Sequence, residues 1–160
     1  MVKIWDKGNS IDKKIEQFTV GDDFIIDQEL VQYDCEASIA HAKMLKKIGI
    51  LSVSEEKHLT EELQKISQEH KEGKFTISIE DEDCHTAIEN RLIKSLGDIG
   101  SKIHTGRSRN DQVLVALRLY YKSSLSEISS ITNQCIEHLQ MFGDNNNFDF
   151  PGYTHMQKAM

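Results

Sequence analysis

The chain has 160 residues, with 19 Lys plus Arg against 26 Asp plus Glu and a formal net charge of −7. That balance excludes a blanket electrostatic attraction to nucleic acid or to an anionic membrane, so any anion site is local. Hydrophobic residues make up 38%, charged residues 28% and aromatics 7%, which fits a charge-rich, mainly helical protein and excludes a disordered chain.

The opening MVKIWDKGNS is broken by Lys3, Asp6 and Lys7 and holds no apolar run of the signal-peptide kind. The longest stretch free of Asp, Glu, Lys and Arg, Ile128 to Ile136, falls far short of the roughly 20 residues a spanning helix needs. Cys35, Cys84 and Cys135 are odd in number, widely spaced and without a CxxC pair. They read as reduced thiols of a cytoplasmic protein, not as a disulfide framework or a zinc site.

From Asp27 to Ile48 the apolar residues Leu30, Val31, Ala37, Ala40, Met44, Leu45 and Ile48 recur at three and four, and Gly49 follows. This predicts a helix with one buried stripe and a glycine stop. Ser52 and Glu55 are spaced for a capping box, and Leu59, Leu63 and Ile66 carry a second stripe towards Gly73, so the two helices are expected to pair antiparallel. KFTISIE alternates at Phe75, Ile77 and Ile79, which predicts a short extended segment. The acidic run Glu80 to Asp83 is expected to open a helix, its charges favoured by the helix dipole, with Ala87, Ile88 and Leu92 on the apolar side before Gly97.

Val113, Leu117, Tyr120, Ser124, Ile128, Ile131, Cys135 and Leu139 then recur every three or four residues over about seven helical turns. No earlier segment matches this stripe in length. Its partner helices are therefore expected outside this chain or in other copies of it. GDNNNFDF reads as a polar loop, and Pro151 with Gly152 as a turn.

Three segments carry chemistry. SKIHTGRSRNDQ, residues 101–112, sets Arg107 and Arg109 two apart, just before a helix that Asn110 or Asp111 is placed to cap. Free N–H groups at that helix start, beside both arginines and the hydroxyls of Thr105 and Ser108, suit a carboxylate or phosphate. A surface loop whose arginines pair with Glu80 to Asp83 is the plainer alternative, and composition and spacing leave both open. In PGYTHMQ, residues 151–157, the turn precedes Thr154 and His155, and a histidine held there is able to move a proton. In EDEDCHTAIE, residues 80–89, Asp83 and His85 near a helix start are placed to orient one another or a ligand. Cys84 reads as a small buried thiol, because adjacent helical residues point about 100° apart.

HTGRSRNDQV, with EDCHTAIENRLI before it and PGYTHMQKAM after it, resembles the argininosuccinate lyases of the fumarase and aspartase superfamily. The resemblance runs from the KIWDKG opening to the last residue and covers only the amino-terminal part of the family's sequence. It implies a mainly α fold, with a mostly helical first domain over residues 1–109 and the start of a long-helix bundle domain over 110–160. It further implies a cytoplasmic carbon–nitrogen lyase of arginine biosynthesis that reversibly cleaves argininosuccinate to arginine and fumarate, without metal or organic cofactor. Such enzymes are homotetramers whose active sites draw on several subunits.

Carried over position by position, the resemblance implies that Arg107, Ser108, Arg109, Asn110 and Thr154 bind substrate. His155 takes part in proton transfer, and Asp83 and His85 support the site. Two departures stand out: KIWDKG lacks the family's GGRF string, and Gly21 stands where many members have a substrate-binding Ser. The chain also stops before the family's mobile loop, which supplies the serine acting as base, so this polypeptide alone is expected to be inactive. The competing expectations are another fumarate-releasing lyase of the superfamily and a non-catalytic helical assembly protein of the crystallin kind.

Overall fold

A computed structural model describes residues 13–146 and 153–158 of the chain. Its helices are α1 (Lys13–Val20), α2 (Asp23–Ile26), α3 (Val31–Lys47), α4 (Val53–Lys71), α5 (Cys84–Leu96), α6 (Asp98–Ser101) and α7 (Arg109–Asn145). Strands β1 (Tyr153–Thr154) and β2 (Gln157–Lys158) pair antiparallel, and 3-10 turns occupy Asp27–Leu30 and Lys102–His104. The KIWDKG opening, the Pro151–Gly152 turn and the end of the GDNNNFDF segment lie outside the described residues. Contacts divide the chain into two units, one reaching Tyr121 and the other beginning at Lys122, inside α7.

The first unit is built on α3, α4 and α5. Its core joins Val31, Cys35, Ala42 and Leu45 of α3 to Leu59, Leu63 and Ile66 of α4 and to Ala87, Ile88 and Leu92 of α5. Each large apolar side chain so buried contributes about 1.5–3 kcal/mol relative to exposure. The local signals at the helix ends work as their chemistry dictates. Ser52 Oγ accepts from the Glu55 N–H at 3.2 Å, while Ser52 N–H donates to Glu55 Oε2 at 2.8 Å, closing the capping box on α4. At the other end of α3, Gly49 sits at φ +82°, where Ile50 N–H donates to Leu45 O at 2.9 Å and Gly49 N–H to Lys46 O at 3.0 Å. Those two bonds satisfy the last carbonyls of the helix, and the positive φ suits glycine.

Two expectations change on folding. Val31, Ala37 and Leu45 are buried as expected, but Ala40, Met44 and Ile48 are exposed, and Asp34, Cys35, Ser38 and Ala42 complete the buried side of α3. The apolar pattern had merged two neighbouring faces, because two of the buried positions are polar. KFTISIE lies between α4 and α5 as a short segment, residues 74–78 being in neither helix nor a paired strand. Ile77 enters the core while its carbonyl accepts from Gln28 Nε2 at 3.2 Å. The acidic run does not form the first turn of α5. Asp81 accepts from Ser78 N–H and Oγ, Glu82 takes φ +69°, and only Asp83 caps the helix, accepting from Thr86 N–H at 2.8 Å.

Gly100 in α6 lies so close to α5 that a Cβ there would meet the Leu92 carbonyl carbon and oxygen at 2.4 Å. That approach fixes the start of the segment leading to α7. Early α7 then packs on the core through Leu117 and Tyr120, the latter edge-on to Tyr33 with ring centroids 5.7 Å apart.

In the second unit the continuing α7 leaves its apolar residues open to solvent, with Ile128 59% and Leu139 65% exposed and Leu125, Ile131 and Phe142 alike. The β1–β2 hairpin pairs Tyr153 with Lys158 and Thr154 with Gln157. Its turn holds His155, exposed and at φ +56°, and the exposed Met156. Among the described residues no helix is long and apolar enough to cross a membrane.

Candidate functional site

The amino terminus of α7 is closed by Ser108, not by Asn110 or Asp111. Ser108 Oγ accepts from Asp111 N–H at 3.2 Å, and Ser108 N–H donates to Asp111 Oδ2 at 3.0 Å. The Ser108 hydroxyl also donates to that oxygen at 2.7 Å. This is a reciprocal cap with Asp in the place of the usual Glu. The Ser108 hydroxyl and backbone bonds hold the Asp111 carboxyl below the usual carboxylate range. With Ser108 and Asp111 engaged in the cap, the side chain of Asn110 is left exposed, making no hydrogen bond among the described residues.

Arg109, in the first turn, reaches across to the start of α5. Its Nη1 bonds Asp83 Oδ2 and its Nη2 donates to Thr86 Oγ1 at 3.0 Å. Asp83 therefore caps α5 with one oxygen and holds Arg109 with the other. The remaining guanidinium N–H groups stay available for a ligand. A planar, permanently charged donor fixed at a helix start suits an anionic oxygen.

Below this surface lies a buried polar cluster centred on Asp34, which is 0% exposed. Its Oδ2 is 3.1 Å from His85 Nδ1, and both carboxylate oxygens accept from Gln112 Nε2, at 3.0 and 2.9 Å. Ser38 Oγ donates to Oδ1 at 3.4 Å and accepts from Arg107 Nη2 at 3.2 Å. Burial pulls the Arg107 guanidinium down from its ordinary value, while the Asp34, Glu89 and Asp111 charges push it back up. Arg107 Nε and Gln112 Oε1 are buried without a partner among the described residues.

Arg107 also lines a cleft of about 420 Å³ with Ala37, Ala40, His41, Met44, Asp111 and Val115. His41 Nε2 donates there to Thr105 O at 3.0 Å, and burial together with the Arg107 charge lowers its pKa. Among the described residues Asp27, Cys84 and His85 bring potential metal-ligand atoms within 4.8 Å of one another. They already hydrogen-bond, with Cys84 N–H donating to Asp27 Oδ2 at 3.2 Å. Burial, followed by the charges of Asp34 and Asp27, pushes the Cys84 thiol up and keeps the proton on sulfur.

Of the residues singled out in the sequence, Asp83, His85, Arg107, Ser108, Arg109 and Asn110 belong to the first unit, and Thr154 and His155 to the second. Within the first unit, Asp83 and Arg109 meet directly, and His85 and Arg107 join through Asp34 and Ser38. Asp34, Ser38 and Gln112 were missed by sequence reasoning. The available signal was a polar pair, Asp34 and Ser38, at helical spacing inside an otherwise apolar stretch.

Fold and site together define a mainly helical protein in which an arginine–aspartate pair joins two helix starts. The model of the family described as lyase matches residues 7–160, and the chain belongs to that family. It is 50% identical, over 99% of its length, to the argininosuccinate lyase of Thermotoga neapolitana, of which it covers 40%. It is 45% identical over 98% of its length to that of Xylella fastidiosa strain Temecula1, covering 36% of it, and 42% identical over 99% of its length to that of Sorangium cellulosum, covering 37%. The chain thus spans about two-fifths of the length of the curated relatives it matches. The helical architecture agrees with the fumarase and aspartase superfamily.

Proposed function

We propose that the whole protein is an argininosuccinate lyase, a carbon–nitrogen lyase that reversibly cleaves argininosuccinate to arginine and fumarate in arginine biosynthesis. In this reading a base removes a proton next to a substrate carboxylate, and an acid protonates the departing guanidinium nitrogen. Charge builds on the carboxylate as its intermediate forms, so the chemistry calls for fixed positive charge and N–H donors. Arg107, Ser108, Arg109, Asn110 and Thr154 bind the substrate, His155 moves a proton, and Asp83 and His85 support the site. Residues 1–109 act as an amino-terminal domain and 110–160 begin a bundle domain, through which the protein forms a cytoplasmic homotetramer.

The observation that carries the reading is Arg109, tied to Asp83 and Thr86 at the start of α7 beside the exposed Asn110. The similarity to argininosuccinate lyases over nearly the whole chain supports it independently. Incubating the full-length protein with argininosuccinate, adenylosuccinate or aspartate and following fumarate release tests it. Release from argininosuccinate alone is expected. Release from either other substrate in preference assigns a different superfamily lyase, and release from none removes the enzymatic reading.

A further inference from the structure

We propose that Asp34 is the positioning residue of this site, its buried carboxylate holding the His85 ring and the first turn of α7 in one fixed arrangement. Its kinetic consequence rests on the lyase reading; its geometric consequence does not.

A carboxylate taken wholly out of water is costly unless hydrogen bonds meet its lone pairs. Asp34 is 0% exposed and every bond it accepts comes from a side chain near the site, namely His85, Gln112 and Ser38. His85 stands two residues after Asp83, and Gln112 three after Arg109. Asp34 therefore joins from beneath the same two helix starts that the Arg109–Asp83 pair joins at the surface. Through Ser38 the connection extends to Arg107. An apolar residue of similar volume would hold α3, α5 and α7 together without burying charge. What only a carboxylate supplies is acceptors for three donors at once, and with them the orientation of each.

The bond to His85 also fixes a tautomer. Asp34 accepts at Nδ1, so in a neutral ring the proton sits on Nδ1 and Nε2 keeps its lone pair. Asparagine at position 34 would offer one acceptor oxygen and turn an N–H group towards a donor.

The test uses the full-length protein. A crystal structure of Asp34→Asn is expected to show the His85 ring and the Gln112 side chain turned from their native positions while α3 and α4 superpose. Unchanged positions overturn the proposal whether or not the protein is a lyase. In argininosuccinate cleavage, Asp34→Asn is expected to lower kcat about tenfold or more with KM held within about threefold. Combined with His85→Gln it should do little further harm, because the two act as a unit. Multiplying losses, or a lower Tm with native kcat, overturn the positioning role. If Asp34→Asn does not fold, Gln112→Met removes one of the donors at similar volume. A reduced kcat then supports the proposal and a native kcat overturns it. A native protein that cleaves no argininosuccinate defeats the lyase reading and leaves the crystallographic comparison to decide on Asp34.

Discussion

Arg109 and Asp83, two residues separated in sequence by the whole of α5 and α6, lock together the starts of α7 and α5. Asp83 serves two donors, the Thr86 backbone N–H and the Arg109 guanidinium, and Thr86 returns a contact to Arg109 through its hydroxyl. Asp83→Ala is expected to destabilise the first unit by about 1–3 kcal/mol, from the lost cap and the released charge-assisted bond together. Arg109→Lys should cost less, since a point charge keeps Asp83 company but cannot also reach Thr86 in a fixed fork. Urea unfolding of the two variants checks the order. Equal losses would show that the point charge alone preserves nothing and that the fork geometry carries the interaction.

Glu55 predicts a pH dependence. The bond from Lys102, followed by those from the Ser52 backbone and hydroxyl, lowers its carboxyl from 4.5 to about 2. A folded-state pKa below the unfolded value means that the unfolded chain binds more protons between the two, so stability rises with pH there. The contribution is complete above the ordinary glutamate range and is lost as pH falls from about 4.5 towards about 2. Glu55→Gln is therefore expected to flatten the acid limb of the stability curve in that window. The same slope in native and variant protein would assign the acid sensitivity elsewhere.

How much of this was legible depended on range along the chain. The Ser52 capping box and the Gly49 stop are local, and three or four residues determine each. The Asp34–Gln112 bond joins positions 78 apart, and no periodicity carries that information. The α7 cap shows a different kind of miss. Ser108 and Asp111 have the S-x-x-D spacing of a capping box, but Asn110 and Asp111 are competent caps by residue type. The choice fell to hydrogen bonds closed by the arrival of the preceding loop, whose entry is set by the close approach of Gly100 to α5.

The open stripe on α7 predicts how the thiols react. Cys135 is exposed on the same helix face as the exposed Ile128, Ile131 and Leu139, whereas Cys35 and Cys84 are buried. A contiguous apolar face of this kind marks an association surface. Burial pushes both internal thiols up, so they are expected to react only on unfolding. Cys135 should react quickly in dilute protein and slow as concentration rises and copies associate. Reactivity that does not change with concentration, together with a monomer in sedimentation, would remove this face as a contact.

The division of labour in the proposed reaction yields a kinetic split. His155→Asn in the full-length protein removes the group assigned to proton transfer, so kcat should fall by about two orders of magnitude or more with little change in KM. Asn110→Leu removes hydrogen bonds to a charged ligand while leaving proton transfer intact, so KM should rise by about tenfold or more with a smaller change in kcat. The two effects are expected to differ in kind, because the proposed reaction gives Asn110 a substrate contact and His155 a proton transfer. Variants that both lowered kcat alone would move Asn110 into the chemical step, and a native kcat for His155→Asn would take the histidine out of it.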